Sequence, residues 1–549
     1  MRFKAAVALT LLTFSLAANA QQIPADTVLL NGRIFTCDSV HPRAEALAIR
    51  GDRIVAVGST SEIHALIGPH TRRIDVGDRV VIPGFNDAHI HLEVEPANVV
   101  SLESKSFDPA WSEMSAAIQT AVLKAPKGSI ISGDMAMSIF NDPEANRNSL
   151  DKLSPDDPVI LTTVSGHASI LNSAALKRFG IEGRPDPMGG RYERSPDGRL
   201  TGTIREYADM QLARTLADQT SEADALAQLR KKLAQATKWG ITSMQDMSNA
   251  MPPERAVALL EKVPTPVRVR VMRMPMTTSK GRDTEEGKSL LKTRPSALIT
   301  VSGTKWLLDG TPLELTFAPR GSRPFGKPPF DDRFSDLGPL FSQTELKAML
   351  QESLQSDDQL LLHVSGYPAA AAMLSAMESA GGKRVWAGRR VRFEHGDGLY
   401  PDLVTRVKQL GIVVVQNPSH FSVGQPLGPE LFGEAQPLKS LLAAGIPVAL
   451  GSDGPMNPFL NIMLACIHPN RLSQAITVEQ AVTAYALTSA YAEFMEQDKG
   501  SLEPGKLADL AVLSQDIFEI PLQDLPKTES VLTMVGGKVV YDAKVVTTQ

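Results

Sequence analysis

Apolar and polar positions along this chain follow one design at the two ends and another in the middle. From Asp26 to Asp78 the apolar residues fall in short runs broken by turn signals, Thr27–Phe35 around Asn31-Gly32 and Ala46–Gly58 around Gly51-Asp52. Such runs read as a small β-sheet, and its edges need a partner. Matching runs at Ala508–Leu513 and Val531–Tyr541 supply one, so the two termini are expected to build a single composite β domain. Between them the pattern alternates. Apolar runs at Ile241–Met247, Val267–Arg273, Thr300–Leu308, Gln359–His363, Arg390–His395, Gly411–Gln416 and Pro447–Ser452 read as strands. Helical spacing separates several of them, as in Ala223–Trp239 and Thr344–Gln355. Alternating strand and helix signals the α/β class. With Arg79–Leu92 as the first, the strands number eight, which is the count that closes a parallel barrel.

Arg79–Leu92 organises the rest. Val80–Ile82 meets Pro83-Gly84, and the chain then delivers His89 and His91. In extended backbone, residues two apart share a face, so both imidazoles can grip one cation. A lone His-x-His pattern is more often a pair of polar residues at a strand end, and its meaning depends on what the other strand ends supply. They supply Lys305, His363, His395 and Asp453, each closing an apolar run, as in Leu360-Leu361-Leu362-His363. Working residues of eight-stranded barrels sit at those ends, and imidazole with carboxylate suits zinc and similar divalent ions. Plainer readings stand beside these: Asp453 before Gly454-Pro455 makes a good helix N-cap, and Lys305 could be an ordinary ion-paired lysine.

Two long segments interrupt the alternation. Residues from about 97 to 220, with strand-like pieces at Ser129–Ser132 and Pro158–Val164 and the sequence Ser165-Gly166-His167, read as an α/β insertion after the first strand. Phe317–Gly338 is rich in Pro, Gly and Arg; a loop of that length inside a compact domain is usually functional, often a lid. Arg320 and Arg323 in it are candidates to hold a substrate carboxylate, while Arg205 and Glu206 either line the pocket or pair internally.

Composition narrows the function. The 549 residues are 43% hydrophobic and 21% charged, typical of a soluble globular protein with a full core. A net charge of −5 offers no basic field for nucleic acid or an anionic membrane. Cys37 and Cys466 are too few for a disulfide framework and read as buried free thiols. Arg2 and Lys4, the apolar Ala5–Leu16 and the small-x-small Ala18-Asn19-Ala20 form a secretory signal over residues 1–20. Cleavage there is expected to leave a periplasmic or secreted protein without a membrane anchor.

Taken in order, Pro83–Leu92, Ser165-Gly166-His167 with Asn172-Ser173, Lys305 with Asp309-Gly310, Phe393-Glu394-His395, Gly451–Pro455 and Gly500–Leu510 resemble the amidohydrolase superfamily. Within it they are similar to the branch called amidohydrolase family 3. The resemblance implies a metal-bearing (β/α)8 TIM barrel over residues 80–497, with a composite β-sandwich split between 21–79 and 498–549. It implies His89, His91 and Asp453 on one metal, His363 and His395 on a second, and Lys305 bridging them as a carboxylated lysine; a one-metal site without Lys305 is the alternative. Zinc is the expected ion. It further implies hydrolysis of a non-peptide carbon–nitrogen bond, with the metal activating water and Asp453 acting as general base and then acid. His167 would stabilise the oxyanion, the plainer alternative being a loop histidine that holds the insertion.

Expected substrates are small molecules: N-acyl or N-formyl amides, or cyclic amides. Hydrolytic deamination of an aminated heterocycle is a second enzymatic reading, and a metal-free small-molecule-binding barrel a third. A homodimer is a further expectation. Two departures from the family pattern, Gly366-Tyr367 after His363 and Thr311–Thr316 after Asp309-Gly310, leave the ligands intact but alter loops at the pocket, so substrate identity does not transfer.

Overall fold

The computed structural model describes residues 23–104, 106–321, 333–422 and 434–549. The signal segment expected over residues 1–20, and Arg323, lie outside the described residues. Among the described residues no helix is long and apolar enough to cross a membrane.

Eight parallel strands form one sheet in chain order: β1 (Phe85–Ile90), β2 (Ile241–Ser248), β3 (Arg268–Arg273), β4 (Ile299–Leu307), β5 (Leu360–Val364), β6 (Arg392–His395), β7 (Val413–Gln416) and β8 (Val448–Leu450). Strands covered on both faces read as nearly continuous apolar runs, which is why Val413-Val414-Val415 and Leu360-Leu361-Leu362 signalled them so clearly. Past the end of β8 the sheet closes on β1. The Asp453 N–H donates to the His89 carbonyl at 2.9 Å, and the Ser452 N–H to the Asp87 carboxylate at 2.9 Å. Gly451 permits this approach, because a Cβ there would sit 2.5 Å from the His89 backbone nitrogen.

The apolar run Val80–Ile82 does not open the barrel. Val80–Pro83 pairs with Leu510–Leu513 and with Arg33–Phe35 in a six-stranded sheet drawn from both ends of the chain. The N-terminal part of the sandwich therefore runs to Pro83 rather than stopping at residue 79. The chain changes sheets at Pro83-Gly84, where proline lacks the N–H that would extend the ladder, and the barrel starts at Phe85. Asn31-Gly32 is likewise no hairpin turn. Thr27–Leu30 enters a five-stranded sheet and Arg33–Phe35 the six-stranded one, with Asn31 at φ 56° making the kink between them. Leu29, Ile34, Leu47, Ile49, Val512 and Leu532 share the core between these two sheets.

The insertion has a six-stranded sheet of its own, including Ile130–Met135, Val159–Thr163, Ala168–Leu171 and Leu200–Glu206, over a core around Ile131, Phe140 and Leu161. Two arginines fasten it to the loop after β4. Arg205 is fully buried, pairs with Glu193 at 2.6 Å and donates to the carbonyls of Glu314, Thr316 and Ala318 at 2.7, 2.7 and 3.0 Å. Arg320 reaches back to the carbonyls of Phe140, Asp142 and Ala145 at 2.9, 3.0 and 2.6 Å. Arg320 is thus an anchor of the loop, its donors committed to backbone carbonyls and the Thr203 hydroxyl rather than to a substrate carboxylate. Replacing Arg205 by alanine strands Glu193 and three carbonyls, a loss of about 3–5 kcal/mol. A lowered melting midpoint, with limited proteolysis cutting the insertion first, is the expected result; an unchanged melt and cleavage pattern would contradict it. Cys37 and Cys466 are free and buried, and burial pushes both thiols up to about 12.

Candidate metal centre

The barrel's C-terminal mouth gathers the polar residues. His89 lies near the end of β1 and His91 just past it, their ring centroids 5.4 Å apart. Lys305 sits in β4, His363 in β5 and His395 at the end of β6, while Asp453 follows β8. His395 and Asp453 hold φ of 70° and 35°, and Glu206, at the edge of the insertion, holds 55°. Left-handed backbone at non-glycine residues costs about 1–3 kcal/mol each and gathers at functional sites.

The imidazoles are oriented alike. Nδ1 of His89 meets Glu394 at 2.7 Å, that of His91 meets Asn249 at 2.9 Å, that of His363 meets Asp309 at 2.8 Å, and that of His395 meets Asn417 at 2.9 Å. These partners are acceptors, so each Nδ1 carries a proton, and in the neutral ring each Nε2 keeps a lone pair. That is the tautomer a metal ligand needs, held by an outer oxygen. Burial drives His89 down to about 4, and drives His363 and His395 well below the usual imidazole value. In His91 burial is outweighed by Asp453, which raises it.

Asp453 stands among four Nε2 atoms. Its Oδ1 lies 3.3 Å from His91 and 3.8 Å from His89, its Oδ2 3.4 Å from His420 and 3.8 Å from His395. Burial opposes its ionisation, but the surrounding histidines hold the carboxyl well below the usual range. A tetrahedral cation with bonds of ~2.1 Å spaces its ligand atoms about 3.4 Å apart. His89, His91 and Asp453 therefore have both the donor chemistry and the spacing to hold a divalent ion, their ligand atoms all within 4.8 Å of one another. His395, His420 and Asp453 form a second such group. His363 belongs to neither, its ring 4.5 Å from that of His395 and 4.7 Å from that of His167. Lys305 reaches His89, with Nζ 3.0 Å from Nε2, and burial lowers its ammonium to about 8.

His167 sits beside His363 and gives Nδ1 to Glu206 at 2.7 Å. Burial alone would discharge His167, but Glu206, backed by Glu314 and Asp309, raises it to about 9 and makes it an imidazolium. Of the expected pocket-lining pair, Glu206 orients His167 while Arg205 is the internal ion pair described above. A cleft of about 500 Å³, enough for a small molecule, is lined by Glu95 and Pro96 after His91, by Met456 after Asp453, and by Gln228 and Lys232 on the helix Glu222–Lys238; none of the histidines described above lines it.

Several site residues escape a reading confined to strand ends. His420 lies past β7 on the turn Pro418–Ser422, and Asn249 and Asn417 follow β2 and β7. The polar cluster Gln416-Asn417-Pro418-Ser419-His420 directly after Val413-Val414-Val415 was the available signal. Glu394 precedes His395 in a strand and so points to the opposite face in a flat sheet, yet in the structure it reaches His89. Arg392 holds it there with donors at 2.8 and 3.0 Å. Burial would raise Glu394, but Arg392 and His89 outweigh it and keep the carboxylate ionised. Glu394→Gln should weaken metal affinity about 10–100-fold. Chelator competition measures this, and wild-type affinity in the variant would remove Glu394 from the orienting role.

A parallel barrel with oriented imidazoles and a carboxylate at its C-terminal mouth defines the architecture of a metal-dependent hydrolase. A sequence model of the amidohydrolase family matches residues 72–541, and the chain belongs to that family, hydrolases of carbon–nitrogen bonds other than peptide bonds. It is 29% identical to Protein LONG AFTER FAR-RED 3 of Arabidopsis thaliana, over 94% of this chain and 92% of that protein. It is 27% identical to an N-substituted formamide deformylase of Arthrobacter pascens, over 94% of this chain and 98% of that protein. Its fold matches an uncharacterized metal-dependent hydrolase from Pyrococcus horikoshii with a TM-score of 0.65 at 19% identity, covering 90% of this chain and 99% of the other.

Proposed function

We propose that this protein is an exported metal-dependent amidohydrolase that cleaves an N-acyl or N-formyl amide, or a cyclic amide. One observation carries the proposal: imidazoles on β1, β5 and β6 and just past β1 each surrender Nδ1 to a fixed oxygen, leaving Nε2 lone pairs at the mouth that holds Asp453. A barrel kept only to bind small molecules would have no need of that tautomer at every position. His89, His91 and Asp453 hold the first cation, zinc by donor type. When bound, such an ion polarises a carbonyl and makes water a nucleophile near neutral pH.

The chain's own residues do the rest. Each Asp453 oxygen has two lone-pair sites, so the carboxylate can serve a cation and still take the proton of the attacking water at an oxygen. It then returns that proton to the leaving nitrogen, which departs as an amine. His167, held as an imidazolium by Glu206, donates a hydrogen bond to the oxygen on which negative charge develops. Lys305 lines the same mouth; a carbamate formed from its free amine and carbon dioxide, with release of a proton, replaces a cation-repelling ammonium by two oxygens. The amide arm is supported by the similarity to the formamide deformylase over nearly its whole length, and export by the apolar N-terminal segment with its small-x-small end.

Zinc-loaded protein should be assayed against N-substituted formamides, other N-acyl amines, cyclic amides and aminated heterocycles, with formate, carboxylate and ammonia quantified. Release of formate or another carboxylate with an amine is the expected result. Ammonia with a ring carbonyl would replace it by the deaminase reading, and no turnover on any class by loaded, folded protein would overturn it.

A further inference from the structure

We propose that Asp134 recognises a positive charge on the substrate, so that the amide cleaved at this mouth bears an ammonium or guanidinium group away from the scissile bond. The inference rests on the amidohydrolase reading and names the chemistry of the part of the substrate that does not react. It comes from the register of the insertion sheet. Ile130–Met135 pairs in parallel with Val159–Thr163, setting Asp134 beside Thr162. Val159–Thr163 pairs antiparallel with Ala168–Leu171, setting Thr162 beside Ser169. Residues paired across strands point to one side of a sheet, and the Thr162 and Ser169 hydroxyls meet there at 3.0 Å. His167, two residues before Ser169, shares that side by alternation, while Ala168 and Ile170 turn to the opposite core. The His167 ring adjoins that of His363, so this side faces the barrel. One polar row therefore runs from His167 across the sheet to Asp134. Neighbouring strands lie about 4.8 Å apart, which puts the strand of Asp134 about 10 Å from that of His167.

The row lacks a cation. On the same side of the sheet Ile130, Ile160 and Leu171 are covered by Ala208 and Leu212 of the helix Tyr207–Asp218. Asp134, four residues past Ile130, is exposed, and no described residue pairs with its carboxylate. Desolvation alone raises that carboxyl above its ordinary value, with no charge of either sign contributing, so it sits in a recess rather than on a convex surface. A second carboxylate stands behind the row. Asp209, in the first turn of that helix, lies against Ser169, is only 5% exposed, and leaves its Oδ1 without a hydrogen bond among the described residues. A buried carboxylate oxygen without a donor is costly, and a donor brought by the substrate, directly or through water, relieves it. The positive groups nearby are already committed: His167 to Glu206, and Arg205 to Glu193 and three carbonyls. Lys231 and Lys232 line the cleft beyond the edge strand Val99–Ser101, where Glu95 shares the wall and Lys232 donates to the Glu93 carbonyl at 2.6 Å. A recess lined by one sign of charge concentrates the opposite sign. Here that sign is positive.

A charge series decides the matter. N-hexylformamide, its ω-amino derivative and its ω-carboxy derivative differ only at the chain end, and a matching acetamide series carries the same groups on the acyl side through a hexanoyl chain. Zinc-loaded wild-type protein should prefer the ω-amino member of at least one series by about 10-fold in kcat/KM, the worth of a hydrogen bond to a charged group. Asp134→Asn, which preserves size, should remove that preference, with the loss falling mainly on KM. Asp156→Asn, an exposed carboxylate elsewhere on the insertion, should keep it. Circular dichroism establishes that each variant is folded. Equal rates across each series, or a preference that survives Asp134→Asn, would overturn the proposal. So would preference for the ω-carboxy member, which would seat the chain end on Lys231 and Lys232. If no member is cleaved, the amidohydrolase reading fails separately. Calorimetric binding of sulfonamide analogues, which resist hydrolysis, then tests Asp134 by itself: tighter binding of the ω-amino analogue in wild type but not in Asp134→Asn supports it, and equal binding overturns it.

Discussion

Asp453→Asn should lower kcat about 1,000-fold or more, because it removes the group that takes a proton from water and returns it to nitrogen; general acid–base catalysis is worth roughly 10²–10⁴-fold. The substitution is close to isosteric and leaves the Asp453 backbone N–H on the His89 carbonyl, so the seam between β8 and β1 stays closed. The amide oxygen remains a weak ligand, and the ion held mainly by His89 and His91 should persist at reduced affinity. What disappears is the negative charge. The carboxyl is ionised because His89, His91 and His420 surround it against the cost of burial, and a neutral amide has no proton affinity at neutral pH. Steady-state kinetics on zinc-loaded variant, with metal content measured on the same sample, separates the two losses. Undiminished kcat at full metal occupancy would show that another group moves the proton.

His167→Ala should cost about 100- to 1,000-fold in kcat, the range for removing one donor to a developing oxyanion. The imidazole is buried, adjoins His363 at 4.7 Å between ring centroids, and is kept charged by Glu206 at 2.7 Å. Glu206→Gln keeps the imidazole but removes the counter-ion that holds it charged against burial, so a loss approaching that of His167→Ala is expected. The double variant should lose little more than His167→Ala alone, since residues acting as one unit are not additive. KM should move far less than kcat, because the interaction strengthens as charge builds on the oxygen. A histidine that merely held the insertion would give the opposite signature: a lower melting midpoint with kcat almost unchanged.

The two arginines near the insertion show where residue type misleads. Arg320 in a loop of prolines and glycines suggested a hand for substrate, yet its donors end on the carbonyls of Phe140, Asp142 and Ala145. An irregular loop cannot satisfy its own backbone, and neither can the short insertion segments it crosses; arginine, with five donors on one rigid fork, serves both. That demand appears only once the two segments meet.

From sequence alone, the α/β class, the parallel barrel and the residues at its strand ends were determined, because fully covered strands must be apolar throughout and the break in that pattern marks where each strand leaves the core. His89, His363, His395 and Asp453 stood out as polar residues at the ends of such runs. Tertiary structure decided what no period reports. The run Val80–Pro83 looks the same whether it faces a barrel or a sandwich, and only its pairing with Leu510–Leu513 assigns it. Glu394 and Asp309 became orienting partners of His89 and His363 through closure of the sheet, and His420 reached Asp453 through a turn whose direction is set by Ser419, Asn461 and Ser452. Burial pattern is a local property written into every residue, whereas the meeting of side chains from separate strands is fixed by how the whole sheet twists and closes.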